Sequence, residues 1–372
     1  MEQSNPERKL SVEEIRNLGD EQKKQLIARE TGTSISTVRR ALHPVCRRQV
    51  EPGKRDRISQ KAAEYKFVLS HRPVKRHQAL GVMVPYSPDV FLDPYHARPL
   101  AGIAQHLHEI KKQSKYNIKF IFAEESDYQD MHKFASEQQI DGLFILMWMI
   151  HPNVINWVLT VEKPFPVLLI NEYDKRAKAH FVIVDVAAGP EKAVRYLFEK
   201  GRKSIAFLKG PTSNKHESKE AGLISVDCID SRQKYEGFQR GMKACGLEMR
   251  SEWIKECRAY TEEQGYLMAK EIFSQSRVPD ALVTSNDSTA IGALQALKDL
   301  RIACPEKVAV IGFDGNPKCE IVSPKLTTIH QPLEEIGAEA ARQMVELVEE
   351  GCLDVVNGKF KFDPQLVIRE SA

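Results

Sequence analysis

The stretch 285-SNDSTAIGALQALKDLRIACPEKVAVIGFDGNP, followed at 326 by LTTIHQP, decides the fold. Its first three residues, SND, are the short polar types that accept hydrogen bonds from the open N–H groups of a helix's first turn. Small and apolar residues then recur at helical spacing through 288–299. VAVIGF at 308–313 is a near-continuous apolar run, which suits a strand covered on both faces. Two polar residues sit just beyond strand ends, Asp314 after VAVIGFD begins to close and Gln331 after LTTIH. In open α/β sheets ligands lie outside the carboxyl ends of strands, so Asn286, Asp314 and Gln331 are the residues to inspect. Taken singly, each is equally a helix cap or turn former.

The same alternation extends outward. Short apolar runs begin at 81-GVMVP, 118-IKFIF, 142-GLFILM, 165-FPVLLIN, 180-HFVIVD, 204-SIAFLKG and 281-ALVTS. Helical candidates fall between them at 190–200, 234–245, 261–273, 288–299 and 333–350. Strand–helix alternation predicts βαβ units, here two doubly wound parallel-sheet subdomains. The stretch 359-KFKFDPQLVIRE predicts short closing strands.

Before residue 80 the pattern is helical only. With 372 residues, two or three domains are expected. The net charge of +3 hides an asymmetry: residues 1–80 hold 18 Lys/Arg against 10 Asp/Glu, the rest 36 against 41. A basic module meeting a polyanion, joined to a body that does not, is implied. Within it, 24-KQLIARETGTSISTVRRAL has the layout of a helix-turn-helix. Leu26, Ile27 and Ala28 start an apolar face, Gly32 supplies the turn, Ser34 caps the second helix, and Val38 and Leu42 face the core. That leaves Ile35, Ser36, Thr37, Arg39 and Arg40 on or near the free face, where base edges and phosphates are met. A third helix is expected over Lys54–Lys66, and 1–20 can add one starting at 11-SVEE.

No apolar run approaches the ~18–20 residues of a membrane span. No secretory h-region opens the chain, and the seven cysteines form no CxxC pair, so a cytoplasmic protein without disulfides, metal or cofactor is expected.

These motifs carry a resemblance. LIARETGTSISTVRRAL, the G-x-x-x-I-A-F-L-x-G-P at 201–211 and above all the quoted block are similar to the lac repressor/purine repressor family of bacterial transcription regulators, over nearly the whole chain. The resemblance implies a helix-turn-helix head (1–66), a basic linker (67–80) and a periplasmic-binding-protein-like core (81–372). It places subdomain 1 at about 81–179 and 315–331 and subdomain 2 at about 182–313 and 334–372. Crossings are expected near 177–183, 313–316 and 330–334. It implies that Ile35, Ser36 and Arg40 reach bases while Ser34, Thr37 and Arg39 lie nearer the backbone. Asn286, Asp314 and Gln331 correspond to ligand contacts, and Tyr260 to an aromatic packed on the ligand ring. Trp148 is a second platform candidate, with a core tryptophan as the alternative. Ser87 and Asp89, after the first strand, complete the candidate ligand set.

Three departures stand out. Lys234 occupies the place of the family's arginine in 234-KYEGF, replacing a planar fork by a point charge. The loop 212–233 is about a dozen residues longer than the family's. The linker contains Pro73 and lacks the leucines that wedge into a minor groove, which leaves Arg72, Lys75 and Arg76 for phosphates or groove entry. The expected function is a ligand-responsive, sequence-specific DNA-binding regulator, a repressor, acting as a homodimer on operator DNA with a sugar-like effector. Two rivals are a solute receptor feeding a transporter and an enzyme. The head argues against the first; the absence of G-x-S-x-G, P-loop or HExxH patterns argues against the second.

Overall fold

The computed structural model describes residues 12–16, 18–42, 50–67, 77–84, 91–110, 116–122, 137–146, 166–171, 179–218, 222–350 and 359–372. They fall into two compact units, one within Met1–His77 and Gln343–Val356, the other within Gln78–Arg342 and Asn357–Ala372.

The first unit carries four short helices: α1 (Val12–Arg16), α2 (Asp20–Thr31), α3 (Ile35–Leu42) and α4 (Pro52–Glu64). Ile27, Val38 and Ile58, one from each of α2, α3 and α4, are wholly buried and meet with Ile15 of α1 in one apolar cluster. The turn between α2 and α3 follows from Gly32. At φ +62° it is left-handed, a conformation that side chains disfavour, and its neighbour Thr33 returns an N–H to the carbonyl of Ala28 at 2.9 Å. Ser34 then caps α3 by accepting the Thr37 N–H at 3.1 Å.

The second unit contains two six-stranded sheets and a separate hairpin. Sheet one is built from β1 (Ala79–Val84), β2 (Asn117–Phe122), β3 (Gly142–Leu146), β4 (Val167–Ile170), β5 (His180–Val184) and β13 (Lys359–Phe362). Its order is β13-β5-β4-β3-β1-β2, all parallel. Sheet two is built from β6 (Ile205–Lys209), β9 (Ile254–Glu256), β10 (Ala281–Thr284), β11 (Ala309–Asp314), β12 (Thr327–His330) and β14 (Gln365–Val367). Its order is β14-β12-β11-β10-β6-β9, with only the β12–β14 pair antiparallel. All eight apolar runs are strands, and burial is uninterrupted along β3, β4 and β10, as suits strands covered on both faces.

The helices are α5 (Pro94–Glu109), α6 (Ala188–Glu199), α7 (Ile229–Ala244), α8 (Glu262–Phe273), α9 (Asp287–Asp299) and α10 (Leu333–Glu350). α5 has no counterpart among the helical candidates because Pro94 and Pro99 interrupt its pattern. Pro94 sits where the first turn tolerates it, Asp93 accepts the Tyr95 N–H at 2.9 Å, and Pro99 costs one backbone bond inside. α7 begins five residues before the expected 234. The longer loop folds upon itself as a hairpin, β7 (Ser213–Ser218) with β8 (Gly222–Asp227), and the Cys228 N–H closes its base on the Thr212 carbonyl at 3.0 Å.

The division of the core differs from the expected 81–179 with 315–331 against 182–313 with 334–372. All of β5, through Val184, lies in sheet one. β12 pairs with β11, so 326–330 belongs to sheet two. α10 crosses α5 so closely that a side chain at Gly102 would meet the Glu334 carbonyl at 1.9 Å, and β13 pairs with β5. The chain therefore passes between lobes after β5, after β12 and between β13 and β14. Polar residues after strands, Asp314 among them, mark a strand end; the pairing of the next strand decides whether the chain changes lobe.

Candidate functional site

The cleft forms where the strand order of sheet two reverses, between β6 and β10, and loops from β6, β10 and β11 converge. These loops are tied: Gly210, after β6, donates its N–H to Ser285 Oγ, after β10, at 2.9 Å. Tyr260 lies over Gly210 so tightly that a Cβ there would stand 2.3 Å from the phenol oxygen. Glycine is thus what lets an aromatic floor settle on this loop. Burial pushes the Tyr260 phenol well above its ordinary range, so it stays a neutral donor and acceptor.

Asn286 caps α9, accepting the Thr289 N–H at 2.9 Å, while its Nδ2 donates to the Tyr260 carbonyl at 3.3 Å. Both readings of this residue are realised, since it caps a helix and lines the cleft. Asp314 ends β11 at φ +106°, a strained value for a side-chain-bearing residue. Its Oδ1 accepts from Gln331 Nε2 at 2.7 Å. Gln331 itself is wholly buried behind Asp314 and holds it from below.

Lys234 is almost completely buried. Its Nζ lies 2.9 Å from Asp230 Oδ2, 3.0 Å from the Ser285 carbonyl it donates to, and 3.8 Å from Asp314 Oδ1. It also stands 4.1 Å from the centre of the Phe313 ring. Burial alone would lower this ammonium's pKa; Asp230 and Asp314 outweigh it, and the net shift is upward.

Asp287, missed in the sequence though it belongs to the quoted SND, is fully enclosed. It accepts the Asn316 N–H and the Thr328 hydroxyl, both at 2.6 Å, and burial pushes its carboxyl up to about 6. The facing wall comes from the start of α5, with Asp93, Tyr95 and Arg98. Arg98 is held in its own lobe by Glu334, Nε donating to Oε1 at 2.6 Å, and reaches across to the other, where a terminal nitrogen donates to the Gly315 carbonyl at 3.1 Å. The cavity these residues line measures about 100 Å³ and opens to solvent. Asp230 had a signal, lying four residues before Lys234 on one helix face; nothing local in the sequence marks Arg98. Ser87, Asp89 and Trp148 fall outside the described residues, as do Arg72, Lys75 and Arg76 of the linker.

In the first unit, α3 presents Ser36 and Arg39 exposed, with Thr37 and Arg40 half-buried. The Ser34 hydroxyl is shared with Ser36 Oγ at 2.8 Å and Thr37 Oγ1 at 2.9 Å, which preorders these polar tips. Ile35 is half-buried against the head's own core, so its free apolar surface is partial. A shallow recess beside α3 joins Thr37 and Arg40 to Lys54 of α4, putting two cations on one concave surface. No helix among the described residues is long and apolar enough to cross a membrane, and no group of His, Cys, Asp or Glu there could hold a metal.

Comparison with known proteins agrees with this geometry. Residues 194–372 match the periplasmic binding protein-like domain family. The chain is 23% identical over 338 residues to catabolite control protein A of Priestia megaterium, covering 88% of this chain and 93% of that one. It is 27% identical over 240 residues to the HTH-type transcriptional repressor PurR of Histophilus somni, covering 63% and 66%. A solved structure, the transcriptional regulator CelR–cellobiose complex, aligns with a TM-score of 0.66 at 21% identity, over 94% of this chain and 99% of that one.

Proposed function

Because this chain belongs to the lac repressor/purine repressor family of transcription regulators, we propose that it is a dimeric, sequence-specific DNA-binding repressor whose operator affinity is set by a small molecule, a sugar or related metabolite, held in the cleft. The observation that carries this reading is the union in one chain of a capped, cation-bearing α3 and a walled cleft on a two-lobed unit. α3 offers Ser36 and Arg40 to base edges and Ser34, Thr37 and Arg39 to the backbone. Tyr260, Asn286 and Asp314 offer a ring face, an amide and a carboxylate, which suit a molecule with apolar faces and hydroxyl edges.

The protein acts in the cytoplasm, and the cleft binds without turnover. Ligand changes how the lobes close, and Arg98, bonded to the 315 turn from the opposite lobe, is the contact most directly altered. Closure is relayed to the placement of two heads, which must match half-sites about one helical turn apart or a multiple of it. Support for the dimer comes from the edge strand β2, where Phe120 and Phe122 stand 45% and 44% exposed with Phe91 set edge-on between them. Selection of bound sequences from a random duplex library by the purified chain, with and without a sugar panel, tests the reading. A recurrent palindrome whose retention changes with a sugar is expected; unselective binding throughout sinks it.

A further inference from the structure

The cleft's charge is arranged in depth, and the arrangement bears on what enters it. The inference rests on the cleft being the effector site. Among the described residues four carboxylates line it, Asp93, Asp230, Asp287 and Asp314, against two cations, Lys234 and Arg98. Neither cation is available to an anion in proportion to its charge. Lys234 is 3% exposed while its partners Asp230 and Asp314 are 22% and 16% exposed, so the carboxylates face the cavity and the ammonium lies beneath them. Its directions are filled by Asp230, the Ser285 carbonyl and the Phe313 face. Arg98 is balanced by Glu334 and held on Gly315.

A separate observation points the same way. The amide that holds Asp314 is Gln331, wholly buried, and its Oε1 has no donor among the described residues. Gln331 thus spends its donor on Asp314 from behind the cavity wall, which leaves the outer side of that carboxylate to a ligand. An ammonium is all donor and positively charged. A phosphate or carboxylate would meet an anionic surface across a poorly screened cavity, where like charges repel strongly. The carboxyls of Asp314 and Asp287 are both pushed upward, by burial first and, at Asp314, by the neighbouring carboxylates. At Asp314 the Lys234 ammonium pulls the other way, and burial together with the neighbouring carboxylates outweighs that one cation.

We propose that the effector is a polyhydroxylated amine, an amino sugar in its protonated form, whose ammonium rests on the cavity side of Asp230 and Asp314. The hydroxylated ring then lies on Tyr260, and Asp93 on the opposite wall completes the anionic surround.

The test is calorimetric titration of the full chain at pH 7 with three matched sets. These are glucosamine, galactosamine and mannosamine, the parent hexoses, and the hexose 6-phosphates. At least one amine is expected to bind ten-fold or more tightly than its parent, with the phosphates not binding, and the preference is expected to shrink in 0.5 M salt. Asp93→Asn keeps the helix cap and removes one exposed charge, so it should weaken the amine several-fold more than it weakens the parent hexose. Equal or tighter binding of any parent hexose, binding of a phosphate, or no binding by any amine overturns the proposal. These outcomes are separable from the failure of the regulator reading. A neutral sugar that binds and shifts operator affinity leaves the regulator standing and removes the amine; amine binding without sequence-selective DNA binding does the reverse.

Discussion

Asp287 shows how much a single enclosed side chain can set. Its carboxyl sits near 6, above its ordinary 3.8, because burial outweighs the Thr328 and Asn316 hydrogen bonds. A group whose pKa is raised on folding favours the folded state below its unfolded pKa, and that contribution fades as pH climbs through about 6. Unfolding free energy of the unit bearing the cleft should therefore carry a component that falls between pH 4 and pH 7, on the order of 2 kcal/mol. Denaturant titrations of the wild type and Asp287→Asn at pH 5 and pH 7 check this. The variant should lose less stability than the wild type over that rise, and an identical change in both would remove Asp287 as the cause. Asn286, Asp314 and Tyr260 were legible from their places after strands or in family motifs. Asp230 had a local signal that went unread, its i,i+4 spacing to Lys234, whereas Arg98 acquires its role only from partners brought in by tertiary folding.

At the scale of elements, the helix-turn-helix was readable because its punctuation is local. Gly32 sets the turn and Ser34 the cap, and both act within four residues. α5 was hidden because Pro99 breaks the pattern that identifies helices, while packing on α10 compensates. The crossing expected near 313–316 and the placing of 359–362 differ from the structure for a related reason, since strand pairing is not a local property. Arg40→Ala on α3 removes a cation from the recess by Lys54, and it should weaken operator binding by about 1–3 kcal/mol if it reads a base. A fluorescence-anisotropy titration against operator and a scrambled duplex separates the roles. Loss confined to the operator means base contact; equal loss on both means phosphate contact. On β2, Phe120→Lys should turn a micromolar dimer into a monomer in sedimentation velocity, with operator binding weakened in parallel. A variant that remains dimeric excludes this strand edge as the interface.

Across the whole molecule, the proposed regulator requires that the coupling between cleft and DNA be a free energy shared by both sites, so that each ligand changes the other's affinity by one factor. Measuring the effector's dissociation constant with and without saturating operator should return the same ratio as measuring operator affinity with and without effector. Unequal ratios would show that more than two sites are engaged. The fold also places an unusual demand on its own assembly. Residues 359–362 add an edge to sheet one, 365–367 add an edge to sheet two, and buried Ser371 bonds to Val310 and Thr327 within sheet two. During translation, at ~5–20 residues per second, both sheets thus wait unfinished on the ribosome for the same short stretch. Until that stretch has been made, the β5 edge and the β12 edge both stay open to strangers, so one short segment closes two exposed strand edges at once.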